Sequence, residues 1–276
     1  MSSNNHHPAT LQSLLYSAWH NRELILKMTY REIIGRYKGS MIGLAWSFFN
    51  PLLMLMVYTF VFSIVFNAKW GADLGGGKGE FAVILFAGMI VFNVFAECVN
   101  RAPGLMMANT NYVKKIIFPL EVIPWVVLLN ALFHALISFL ILLIAQLLII
   151  GTIPSTILVL PVVLLPFAAC LMGVTWILAA AGVYLRDLGQ LMGIITTVLM
   201  FTSPLFFPLS ALPESLQPYL ALNPLAYFIE EARAVIIFGN IPSLASLVTT
   251  SLLGVVVLFV GYAFFQKTRK GFADVL

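Results

Sequence analysis

Residues 122–185 form a run of 64 positions without an Asp, Glu, Lys or Arg. About 20 mostly apolar residues make one helical crossing of a bilayer core, so the run is too long for a single crossing. It is also too apolar to coat a surface that faces water. Gly151-Thr152-Ile153-Pro154 divides it, because glycine and proline end helices. The rest of the chain has the same character. Of its 276 residues 61% are hydrophobic and 9% charged, against about 25% charged in a soluble domain. The expected fold class is therefore an all-α integral membrane protein forming one domain over residues 1–276.

Charges and breakers delimit six spans, at about 41–66, 80–100, 122–150, 157–184, 188–208 and 243–265. Six crossings put both ends on one side. That side holds Arg22, Lys27, Arg31, Arg36, Lys38, Arg101, Lys114, Lys115, Arg186, Lys267, Arg269 and Lys270; the other holds Lys69, Lys78 and Arg233. Twelve against three sets both termini in the cytoplasm by the positive-inside rule. The five basic residues before position 40 interrupt any apolar region there, so no cleavable signal peptide is expected. Basic residues beside spans, rather than in one folded patch, argue against nucleic acid as a partner. Cys98 and Cys170 have neither metal nor redox spacing and read as packing residues. His6-His7 is too short for a tag or a metal site.

Three segments depart from simple spanning. In the cytoplasmic stretch 1–38, Leu11, Leu14, Leu15, Ala18 and Trp19 repeat at helical spacing, which predicts an amphipathic interface helix. The plainer alternative is a positive flank that fixes topology. Between Pro103 and Pro119 the loop could form a short helix through Asn109, Tyr112, Val113, Lys114 and Lys115, a docking surface or an ordinary connection. From Ser203 to Gly239, five prolines break an apolar stretch, and Asn223-Pro224 starts a helix too charged to cross. Residues 209–242 therefore read as a re-entrant segment on the outer side, tolerated where protein or a water-filled cavity covers it.

No enzyme constellation is present. Gly75-Gly76-Gly77-Lys78-Gly79 lacks the hydroxyl residue and spacing of a phosphate loop. His134, with Gln146 on the same span, reads as a helix–helix hydrogen-bonding residue. No carboxylate sits at mid-membrane and no inverted repeat is visible, so an ion-driven transporter is not indicated. Tyr58, Phe62 and Phe66 share a face of the first span, and Phe206 and Phe207 populate the broken segment. These rings are candidates to line a path for sugars, whose faces are partly apolar; lipid contact is the commoner role for such residues.

Arg31-Glu32-Ile33-Ile34-Gly35-Arg36-Tyr37-Lys38-Gly39-Ser40 with Gly43-Leu44-Ala45-Trp46 and Pro51 resembles the opening motif of type-2 ABC exporters of bacterial polysaccharides. The likeness continues at Asn109-Thr110-Asn111-Tyr112-Val113-Lys114-Lys115, at Tyr184-Leu185-Arg186-Asp187-Leu188, at Ser203-Pro204 with Phe207-Pro208, and at Asn223-Pro224. Among its branches the chain looks most like O-antigen exporters, with capsule and teichoic-acid exporters close by and drug or lipid exporters as a further alternative. The resemblance implies a homodimer in the bacterial inner membrane with two copies of a separate ATPase that binds ATP and Mg, and no cofactor in this chain. It implies a lipid-linked polysaccharide on undecaprenyl diphosphate as cargo, and an ATPase-coupling role for Asn109, Tyr112, Val113, Lys114 and Lys115. Arg31, Arg36 and Lys38 are candidates to attract the lipid diphosphate, positive-inside topology being the equal alternative.

Overall fold

The computed structural model describes residues 10–68, 70, 79–115, 118–208, 213, 215 and 223–276. The readings on His6-His7, Lys69, residues 75–78 and most of 209–222, and on the Leu11 side chain, lie outside the described residues. Among the described residues every regular element is helical. In chain order they are α1 (Leu11–His20), α2 (Arg22–Tyr37), α3 (Trp46–Tyr58), α4 (Glu80–Arg101), α5 (Leu105–Ala108), α6 (Thr110–Val113), α7 (Val122–Ile149), α8 (Leu160–Tyr184), α9 (Leu188–Thr202), α10 (Pro224–Arg233), α11 (Leu244–Thr268) and α12 (Phe272–Val275).

Five helical stretches are long and apolar enough to cross a membrane: Gly43–Val65, Glu80–Ala108, Val122–Ile149, Ser155–Tyr184 and Leu244–Val275. The first continues α3 through a π-helical segment, Thr59–Val65. The sixth expected crossing is different. α9 has 15 residues, about 22 Å of helix against a hydrocarbon core of about 30 Å. It stops because Pro204 disfavours the helical region for the residue before it, and Ser203 is extended at φ −93, ψ 154. The remaining apolar residues to Phe207 continue without helix.

Hydrogen bonds define two ends of the bundle. At the N-terminal end, Glu121 before α7 accepts from Ser17 of α1 (3.0 Å) and pairs with Arg269 after α11 (2.7 Å), while Tyr184 closing α8 donates to the Thr268 carbonyl (3.0 Å). At the far end, Gln146 of α7 donates to Ile236 O (3.0 Å) and Thr156, before α8, to Val235 O (2.7 Å). Helix α9 runs between these same ends, since Leu205 beyond it bonds to Arg233 of α10.

Helix α4 is the centre. In its most apolar stretch 78% of residues are buried, against 11% in the first and last spanning helices. α8 and α11 make the other close pair, backbone against backbone. A Cβ at Gly261 would stand 2.6 Å from Gly173 Cα, so neither position tolerates a side chain; small residues permit such contact where lipid offers no hydrophobic drive.

The N-terminal stretch is two helices rather than one. Thr10 caps α1 by accepting from Ser13 N (3.2 Å), and the chain breaks at Asn21. Its apolar residues also divide: Leu14 is buried in the protein, while Leu15 and Trp19 stay 61% and 71% exposed. α2 is more polar; it packs against α7 and reaches the end of α4 through ion pairs.

Candidate functional site

Three helices each bring a polar i, i+4 pair to one place, a spacing that puts both side chains on one face. α2 contributes Glu32 and Arg36, α4 contributes Glu97 and Arg101, and α7 contributes Asn130 and His134. Glu32 pairs with Arg101 and accepts from Asn130 Nδ2 (2.6 Å). Arg36 pairs with Glu97 at 2.8 Å, and Arg101 with the same carboxylate at 3.4 Å. The Tyr37 hydroxyl is hydrogen-bonded to His134 Nε2 (2.9 Å), and His134 Nδ1 lies 3.9 Å from Glu97 Oε2. Burial pushes the Tyr37 phenol above its ordinary value against the pull of Arg36, so the hydroxyl keeps its proton at neutral pH.

This network lines the N-terminal end of a cavity of about 880 Å³ between α2, α3, α4 and α7. Its walls carry Asn50 and Tyr58 from α3, and Asn93 and Asn100 from α4. Polar side chains on spanning helices are costly in lipid and mark aqueous or ligand paths. The ions around the cavity neutralise one another: two guanidiniums face two carboxylates.

Aromatic rings gather toward the far end. Phe62 stacks on Phe206 (5.9 Å between centroids) and on Phe81 (5.4 Å), and Phe206 stacks on Phe201 (5.8 Å). The first spanning helix and the segment after α9 therefore meet through rings. Behind them, Arg233 is fully buried. It donates to Ile84 O (3.0 Å), Leu205 O (2.9 Å) and Pro204 O, pairs with Glu230 (2.9 Å), and lies 4.5 Å over the Trp70 ring. Asn223 caps α10 by accepting from Leu225 N (3.0 Å) and donates to Ser203 Oγ (2.9 Å). α10 is thus fastened to both α4 and the end of α9.

The connection after α4 forms two one-turn helices, α5 and α6, with Asn109 between them. Asn109 Nδ2 donates to Leu105 O (2.9 Å), and Val113 is buried. Tyr112 stacks on Phe118 at 4.4 Å, beneath the Lys115 ammonium at 5.7 Å, and accepts from Arg31 of α2 (3.1 Å). Lys114 and Lys115 are exposed.

The residues singled out from sequence are distributed as follows. Tyr58 lines the cavity, Phe62 and Phe206 meet, Phe207 is half-buried beside Phe206, and Phe66 touches Phe62 (6.1 Å) while remaining 67% exposed. Arg31, Arg36 and Lys38 do not converge on one anion site: Arg31 binds Tyr112, Arg36 binds Glu97, and Lys38 is exposed. Sequence reasoning does not reach Glu32, Glu97 or the four asparagines that line the cavity, Asn50, Asn93, Asn100 and Asn130. The signal was available in the i, i+4 spacing of Glu97 with Arg101 and of Asn130 with His134.

A bundle of apolar helices around a cavity that carries a set of polar side chains, with one charged end and one aromatic end, is the architecture of a multi-pass membrane protein. The chain belongs to the ABC-2 type transporter family, whose model matches residues 23–237. It is 27% identical to the O-antigen export system permease protein RfbA of Myxococcus xanthus, over 95% of this chain and 98% of that protein. It is 26% identical to the protein of the same name from Klebsiella pneumoniae, over 92% and 95% of the two chains. It is also 28% identical to the polysialic acid transport protein KpsM of Escherichia coli, over 87% and 91%.

Proposed function

We propose that this chain is the membrane subunit of an ATP-driven exporter of a surface polysaccharide carried on undecaprenyl diphosphate, with O antigen as its cargo. The observation that carries the reading is the near full-length likeness to polysaccharide permeases, joined to a cavity whose polar groups are mostly neutral amides and hydroxyls. KpsM is as similar in identity as the O-antigen permeases, and the capsule polysaccharide export inner-membrane protein CtrC of Neisseria meningitidis is 26% identical over 96% of this chain, which keeps a capsule polysaccharide as the second reading.

In this reading two copies form the path, and α9 with the segment to Phe207 completes a sixth crossing in each. Both termini and the polar network face the cytoplasm of a bacterium, at its inner membrane. α1 and α2 lie in the interface. α10 belongs to a re-entrant outer segment, and the Phe62–Phe206 stack closes the path there. Asn109, Tyr112, Val113, Lys114 and Lys115 seat in each of two ATPase subunits, which hold ATP and Mg. The chain itself is a transport subunit without a cofactor and catalyses no reaction. Exposed Lys38 remains available to the lipid diphosphate, and Arg36 would have to exchange Glu97 for phosphate to join it.

Deletion of the gene tests the reading. Lipid-linked glycan should accumulate on the cytoplasmic side and surface polysaccharide should disappear. Normal surface glycan in the deletion strain would end the proposal, and loss of capsule with intact O antigen would select the second reading.

A further inference from the structure

The docking of α2 accounts for the ions around the cavity but not for its asparagines. Asn50, Asn93 and Asn100 are all exposed onto it, and Asn50 and Asn93 have no hydrogen-bond partner among the described residues. An unpaired amide on a spanning helix is expensive in hydrocarbon, so such side chains face a cavity, water or a partner. Asn93 and Asn100 are two turns apart on one face of α4, about 10.5 Å along the axis, close to the length of a disaccharide, with Glu97 between them on that face and held there by Arg36. Asn50 stands on the neighbouring wall, and Tyr58 adds a half-buried ring to the same lining. Thr196 Oγ1 of α9 lies 3.2 Å from Asn100 Oδ1, sharing its one proton with the Met192 and Gly193 carbonyls, and the Asn100 NH₂ has no acceptor among the described residues.

The chemistry of this row is specific. A carboxamide offers two donors and an acceptor, and a sugar hydroxyl donates and accepts, so each satisfies the other. The charges beside the row cancel pairwise, Arg36 with Glu97 and Arg101 with Glu32, so the interior does not select an anion. We propose that Asn50, Asn93 and Asn100 form a glycosyl-binding track that holds the hydroxyls of successive sugar rings while the phosphates stay outside at α2. The track rests on the polysaccharide reading above and names the part of the cargo that this cavity recognises.

The test uses the full transporter with its ATPase in lipid nanodiscs and two probes, lipid-linked glycan extracted from the deletion strain and sugar-free undecaprenyl diphosphate. Asn93→Leu and Asn100→Leu keep the branched side-chain shape and remove the amide; Asn93→Ser restores a hydrogen-bonding group. The wild type should bind the glycan-bearing lipid more tightly than the sugar-free lipid. Each Leu variant should lose at least tenfold affinity for the glycan-bearing lipid with the sugar-free lipid unchanged, and Asn93→Ser should recover part of the loss. An equal loss for both lipids, or none for either, overturns the track. So does a Leu variant that dissociates the dimer while keeping the preference for sugar, which assigns the amides to a contact between copies. If the wild type itself does not distinguish the two lipids, the polysaccharide reading falls first and takes the track with it.

Discussion

Replacing Arg233 by methionine should be among the most destabilising single changes in this chain. Its guanidinium has no exposed surface, and it supplies donors to three backbone carbonyls, those of Ile84, Pro204 and Leu205, and to the Glu230 carboxylate. Removing it strands the three carbonyls in a buried site and leaves the Glu230 carboxylate, itself 29% exposed, without its cation. Each buried carbonyl left unsatisfied costs about 1–3 kcal/mol, and breaking a buried ion pair from one side costs about 3–5 kcal/mol. The acceptors can relax together, so the loss should be nearer about 4 kcal/mol than the sum of all terms. At about 2–4 °C per kcal/mol for a chain of this size, the apparent Tm of purified protein should fall by about 10 °C. The double variant Arg233→Met with Glu230→Met should recover part of that fall, because it removes the stranded charge as well. Gly88→Ala gives an independent check: its Cβ would stand 2.8 Å from Arg233 Cζ and push the guanidinium off its carbonyls. Melting of Arg233→Met within 2 °C of wild type would refute the reasoning, and so would a double variant worse than the single.

Charge reversal at Lys114 and Lys115 should leave the bundle intact, since both side chains are exposed, but should weaken co-purification of the ATPase and its stimulated turnover several-fold; unchanged values would make this loop a connector only. Gly261→Leu should abolish accumulation of folded protein, because the new side chain would enter the Gly173 backbone, and a normal yield of monodisperse protein would show that α8 and α11 separate without cost.

Much of the helical frame was legible because its signals are local. Charge-free runs, Gly151 and Pro154, and the Asn223 cap each mark an element from its own residues. The end of α9 was legible too, in Ser203-Pro204, yet a hydropathy reading runs through it to Pro208 because the residues beyond are equally apolar. The split of α1 from α2 was not legible: Asn21 carries no glycine or proline signal, and the apolar positions continue past it.

The site was harder to read for a different physical reason. A charge at the edge of an apolar run looks the same whether it meets water, lipid headgroups or another helix. Glu97 interrupts the second run only four residues before Arg101, and from sequence both read as a span reaching its surface. Packing gives them another meaning, because α2 returns across that end with Glu32 and Arg36 at matching spacing. Arg233 is the same case at the opposite end: counted as one external positive charge, it is a buried cation holding α10 against the first turns of α4. The shorter helices α2 and α10 therefore fasten α4, the most buried of the long apolar helices, at both ends through charged side chains, while its long middle is held by apolar contact and carries the neutral Asn93 on its open side. Since an unpaired charge costs far more in lipid than an unpaired amide, cations and carboxylates with partners at its ends and a neutral amide in its middle hold α4 in place without leaving a bare charge in its apolar stretch.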